Sequence, residues 1–171
     1  MVTFDQIKQK IYDLVQSNET ETAVFEMLNH FDLNHENLNN IVFREKADKS
    51  NVVFTTEGIF GLNYPQVIRV PENVFDFPLE HILHMFVHEI IHVNQRSVLL
   101  IEDKNEREIF AYFEGVFQRI FPKLPACPNY LKVQFGKQFL RYYDRMDNDQ
   151  KVEYFGMYDE VLLEINNLET T

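Results

Sequence analysis

Apolar residues fall at helical spacing from the start of the chain. Phe4, Ile7, Ile11, Leu14 and Val15 predict a helix over residues 4–16. Ala23, Val24, Met27, Leu28 and Phe31 predict a second, with Asn18 or Thr20 placed to cap it. The polar, Asn-rich stretch from Asp32 to Asn37 reads as a loop. The pattern then changes to short β-branched and aromatic runs at residues 41–44, 51–55 and 66–70. The polar stretch from Glu45 to Ser50 separates the first two runs. A longer connection with Gly58, Gly61 and Asn63-Tyr64-Pro65 separates the second from the third. Three consecutive strands predict a small antiparallel sheet. From Pro78 to about Val98 the chain is apolar around most of a helical circumference, so a buried helix is expected there. A further helix is expected over 106–121, ending at Pro122. After a loop with Pro122, Pro125 and Pro128, two more are expected over 129–143 and 149–167, the last weakened by Gly156. The sum is an α+β fold: a small sheet packed on a buried helix, then a mostly helical C-terminal part. No internal repeat or linker divides it, so residues 1–171 read as a single domain.

The polar exceptions on the buried helix are ordered. His81, His84, His88 and His92 follow one another at spacings of 3, 4 and 4, and Gln95 follows three residues later. All five are expected on one stripe, which must face something polar or a metal, because unpaired buried polar groups are costly. His88-Glu89-Ile90-Ile91-His92 places two imidazoles one turn apart, a spacing at which both can hold one ion. Glu89 is turned about 100° from His88 around the helix, where it lies beside the metal as a base for an activated water.

A catalytic site of this kind needs a third protein ligand. Glu102, Asp103, Glu106, Glu108 and Glu114 follow the helix. On a helix over 106–121, Glu108, Ala111, Tyr112 and Gly115 share one stripe, and its two small residues would let two helices approach. Glu106 falls on the opposite side, and Glu114 falls near a polar face with Arg107 and Gln118. Glu108 is therefore the expected ligand, with Glu106 next. Asn105-x-x-Glu108 is also a capping box, and would occupy Glu108; Asp103-x-x-Glu106 is an alternative box that would leave it free.

With these residues in place, the chain resembles the gluzincin branch of the zincin metallopeptidases. There a His-Glu-x-x-His helix precedes a Glu on a following helix with a small residue nearby; here these are His88-Glu89-x-x-His92 and Glu108-x-x-Ala111, within about residues 40–121. The resemblance implies a zincin-like fold in which His88, His92 and Glu108 bind Zn2+ and Glu89 is the general base. Many gluzincins have Asp where this chain has Tyr112. The run from His88 to Gln95 is similar to that of small bacterial peptidase-like proteins whose substrates are unknown. The expected activity is zinc-dependent hydrolysis of a peptide or protein substrate. Tyr112, and after it His84, are candidates to steady the oxyanion; for each, packing or support of the ligands is the competing role. The strand at Gln66–Val70 is a candidate edge for a substrate strand. Two rivals remain: a binding protein that keeps a metal without turnover, and a metal-free helical interaction domain. Two histidines and a carboxylate also suit iron.

Charge and composition narrow the partners. The net charge of −11 argues against a general nucleic-acid or anionic-membrane binder. Hydrophobic residues make up 45%, with 16 Phe, which is a globular composition. No run of about 18 apolar residues occurs, so no membrane span is expected. Met1 to Gln6 shows no basic segment leading into an apolar one, and Cys127 is alone. A cytoplasmic location is the default expectation. Lys132, Lys137, Arg141 and Arg145 could dock an acidic segment, although a solvated helix face is the ordinary role of such a run.

Overall fold

The structure, a computed structural model, describes residues 3–48, 53–121 and 123–170. α1 (Phe4–Gln16) opens with a capping box: the Thr3 hydroxyl accepts from the Gln6 N–H, and the Gln6 side chain accepts from the Thr3 N–H. α1 buries Ile7 and Ile11 against Ala23, Val24, Met27 and Leu28 of α2 (Thr20–His30). Neither expected residue caps α2. Asn18 adopts the left-handed conformation (φ 60°) just past the end of α1, a role short polar side chains tolerate, and Glu19 precedes α2 without a side-chain bond.

The sheet is mixed, which corrects the antiparallel sheet expected from the sequence. β1 (Leu38–Arg44) pairs parallel with β3 (Gln66–Pro71), β2 (Thr55–Gly58) pairs antiparallel with β3, and the order is β1-β3-β2. Burial explains the order. Ile68 and Val70 of β3 are fully buried, which suits the centre, whereas Thr55-Thr56-Glu57-Gly58 is short and polar, which suits an edge. Gln66–Val70 is thus the central strand and offers no free edge; β2 does. β2 also begins later than expected. Val53 and Phe54 precede it, Phe54 being buried, and Asn51 and Val52 of the expected strand lie outside the described residues.

α3 (Leu79–Asn94) follows Pro78 and is buried along nearly its whole length. Its continuation is a π-turn, Gln95–Leu99, closed by Leu100 in the left-handed conformation (φ 54°). The next helix starts at its cap. Asp103 accepts from the Glu106 N–H at 2.8 Å, and α4 runs Lys104–Phe117. α4 ends earlier than expected, at Gln118 (φ 49°), because the buried Glu114 carboxylate accepts the N–H groups of Arg119, Ile120 and Phe121. Pro122, the expected stop, lies outside the described residues. α5 is Asn129–Tyr143. The expected helix over 149–167 is broken into α6 (Asn148–Glu153) and α7 (Phe155–Glu169). The break is at Tyr154, whose hydroxyl donates to Glu106; Gly156 lies inside α7.

Two cores meet along α3 and α4. The larger joins α1, α2, the sheet and α3, and takes Ala111 from α4. The other joins Ile109 of α4 to α5 and α7 through Phe139, Tyr143, Val161 and Ile165. A smaller cluster of Val116, Cys127, Leu131 and Phe135 lies between α4 and α5. No helix among the described residues is long and apolar enough to cross a membrane.

Candidate metal centre

A cleft of about 930 Å³ opens between β2, the face of α3 that carries His88, the start of α4, and α5. At its floor His88 and His92 project one turn apart from α3, 7% and 9% exposed, and Glu108 projects from the second turn of α4. The Nε2 atoms of the two histidines are 3.1 Å apart, and Glu108 Oε2 lies 3.4 Å and 3.7 Å from them. Donors of a tetrahedral site with metal–ligand bonds of 2.0–2.1 Å lie about 3.3 Å from one another. The donor set and its spacing therefore fit one divalent cation. A proton can serve only one pair of these three atoms, whereas a cation serves all of them. Among the described residues no other cluster of His, Cys, Asp or Glu meets this requirement.

Local contacts explain why these atoms converge. His92 Nδ1 is 2.7 Å from Gln95 Oε1, and Gln95 Nε2 donates to the Arg107 carbonyl. The ring N–H is thereby directed at the amide oxygen and Nε2 is left to the site. The helix start is capped by the Asp103 side chain on the Glu106 N–H, one half of the expected box, and Glu108 has no role there. Glu106 accepts from the Tyr154 hydroxyl, and Glu114 is spent on the end of α4 and is buried, not set on a polar face. Of the two small residues beside Glu108, Ala111 packs into the core that contains α3, but Gly115 does not. A Cβ on Gly115 would lie 2.6 Å from Phe135, so its closeness serves α5.

Electrostatics follow the same geometry. Burial pushes the Glu108 carboxyl up, but hydrogen bonding and charge from His88 and His92 outweigh it and hold the group well below the usual carboxylate range. Burial likewise works against a charged His92, yet Glu108 and Glu89 leave its pKa raised.

Glu89 is buried beside the triad and outside it, and its Oε2 is 2.8 Å from the Thr56 hydroxyl of β2. The same hydroxyl is 3.0 Å from the Glu89 carbonyl, so its one proton is shared between two oxygens of one residue. Thr56 was not singled out in the sequence: it sits in a polar run with no pattern, and only the pairing of β2 brings it there. Tyr112 lines the cleft with its ring 4.5 Å from that of His88 and stacked on Tyr142. Burial, then the nearby Glu108 charge, raise its phenol above the ordinary value, so it stays a donor. His84 is a correction. It is 1% exposed, lies off the cleft lining, and neither ring nitrogen has a hydrogen-bond partner of acceptable geometry. The stripe in the cleft is His81, Met85, His88 and His92, with His84 turned aside. Of the basic run, Lys132 and Lys137 of α5 face Glu164 and Glu169, and Arg145, just past the end of α5, lies over Tyr142.

The chain matches no family model, no curated protein and no solved structure. The fold and the site define an α+β protein with a candidate three-ligand metal centre in an open cleft.

Proposed function

We propose that the protein is a small zinc-dependent peptidase of zincin-like type. One observation carries this reading: His88 Nε2, His92 Nε2 and Glu108 Oε2 converge at tetrahedral spacing, and a second carboxylate, Glu89, stands beside them without joining them. Zinc bound there supplies Lewis acidity toward a carbonyl and brings the pKa of water to about 7. Glu89 takes the proton from the attacking water and returns it to the leaving amine, and Thr56, bonded to its Oε2, holds the carboxylate in place. The Tyr112 phenol, a donor throughout, serves the carbonyl oxygen as charge develops on it. β2 is paired on one side only and lines the cleft, so its outer edge can take an extended peptide as an added strand.

The test is Glu89→Gln, assayed beside the parent for zinc per chain, melting temperature and cleavage of a peptide library. The substitution keeps the shape and removes the base. Zinc content and melting temperature are expected to hold while turnover falls about a hundred- to ten-thousand-fold. Equal cleavage by parent and variant overturns the mechanism. Zinc uptake with no cleavage of any peptide by the parent leaves a metal-holding binding protein.

A further inference from the structure

The lining of the cleft includes cations that no carboxylate among the described residues pairs with. Arg96 follows His92 by one turn, Lys104 precedes Glu108 by one turn, and Arg107 adjoins Glu108, so all three line the cleft close along the chain to the candidate ligands. Elsewhere the described cations are commonly neutralised. Lys8, Lys10, Arg69 and Arg119 each lie against a carboxylate, and Lys137, farther along the cleft, lies 2.6 Å from Glu169. Among the described residues no carboxylate lies within ion-pair distance of Arg96, Lys104 or Arg107. The acid that acts on Arg96, Glu57, is itself bridged to Arg69 at 2.7 Å.

The two guanidiniums are nonetheless positioned. Arg96 Nε donates to Gln66 Oε1 and its Nη2 to the Gly58 carbonyl; Arg107 Nη1 donates to the carbonyls of Ile101 and Glu102. Each spends part of its donor fork on neutral oxygens and keeps the rest. Burial first, then the charge of Arg107, lower the pKa of Arg96, so the two groups lie near enough to repel. Two like charges held close together and partly desolvated, with the one acid acting on Arg96 already bridged to Arg69, are relieved by an anion between them. The carboxylates lining the cleft, Glu89 and Glu108, belong to the catalytic centre, and Glu108 is occupied by His88 and His92.

We propose that Arg96, Lys104 and Arg107 form an anion subsite that selects peptides with an acidic side chain next to the bond to be cut. The proposal rests on the peptidase reading. It also assigns a direction. Arg96 holds the Gly58 end of β2, whereas Thr56, two residues earlier, holds Glu89. A peptide paired antiparallel to β2 runs from the Gly58 end toward the Thr55 end, so its acidic residue lies on the N-terminal side of the scissile bond.

The test uses three peptides alike except at the residues before the cleaved bond, which are glutamate, phosphoserine or glutamine. The enzymes are the zinc-loaded parent, Lys104→Glu, Arg107→Gln and, as a remote control, Lys10→Gln. The parent is expected to cleave an anionic peptide with kcat/KM on the order of tenfold or more above the glutamine peptide. Whichever anion is preferred names the natural group. Lys104→Glu, whose side chain makes no contact that the fold needs, and Arg107→Gln are expected to collapse that ratio; Lys10→Gln is expected to keep it. Equal kcat/KM for all three peptides, or a ratio unchanged in Lys104→Glu, overturns the subsite. A binding arm separates this from failure of the peptidase reading: fluorescence anisotropy of labelled versions of the same peptides on Glu89→Gln. Should the parent cleave nothing, anionic peptides that bind tighter than the glutamine peptide, and lose that margin when Lys104→Glu is added, still establish the subsite. Equal binding of all three overturns it.

Discussion

At the residue scale the site turns on which carboxylate does which work. Glu106 and Glu108 are two positions apart on α4, yet one meets the Tyr154 hydroxyl and the other meets two imidazoles. Glu108→Ala is expected to cut zinc per chain sharply, measured by metal analysis after dialysis, because it removes one of three protein ligands. Glu106→Ala is expected to keep the zinc and to lose a little stability, about 1 kcal/mol, with the Tyr154 bond. Full zinc in Glu108→Ala would remove Glu108 from the site. The His88–His92 spacing was legible because it depends on helix geometry alone; which residue caps α4 was not, and the structure puts that bond at Asp103, clear of Glu108. Thr56 and His84 were not legible in the same way. The role of Thr56 depends on a strand pairing, and the role of His84 on which flank of the histidine stripe faces α5 and the loop before it. A repeat of 3, 4 and 4 is too coarse to resolve that.

At the element scale, periodicity located the helices well and their ends poorly. α1 and α5 begin and end where the apolar pattern does. α4 stops where a buried carboxylate caps it, and the expected last helix breaks at a tyrosine bonded to α4, both effects of contacts distant in sequence. The sheet order was hidden for a like reason, since a local run of β-branched residues says nothing about neighbours. The α4–α5 contact is tight enough to test. A methyl at Gly115 would lie 2.6 Å from Cδ2 of the buried Phe135, a ring that also lines the cleft. Gly115→Ala gains about 1 kcal/mol of helix propensity and loses about 1–3 kcal/mol to overpacking. A net destabilisation is expected, seen as a melting temperature lowered by a few degrees. A raised melting temperature would mean that the two helices have room to spare.

At the scale of the whole molecule, acid should weaken the fold through His84. This buried ring has its pKa lowered from 6.5 to about 4, chiefly by burial; the Pro125 carbonyl raises its proton affinity but does not offset that loss. Between these values the unfolded chain binds the proton and the folded chain does not. Stability from this group is therefore complete above about pH 6.5, falls as pH drops toward 4, and changes no further below that. By pH 5 the loss is on the order of 2 kcal/mol. Urea melts with a chelator present, at pH 7.5 and pH 5, should show that loss in the parent and a smaller one in His84→Leu. Equal losses would place the acid sensitivity elsewhere; His81, also lowered by burial, would be examined next.

The donor triad and the base are assembled over different lengths of chain. His88, His92 and Glu108 all lie on one helical hairpin, within 20 positions of His88, and its connection is a π-turn and a short cap. Glu89 is aimed by Thr56 across 33 positions, and only after β2 has found β3. The entropy of closing a loop rises slowly with length, but a strand must also wait for its partner. The hairpin needs no part of the sheet to bring His88, His92 and Glu108 together, whereas the Thr56–Glu89 bond requires β2 to be paired with β3. On the proposed reading, affinity for the ion is a property of a local piece of the molecule, and reactivity a property of the finished one.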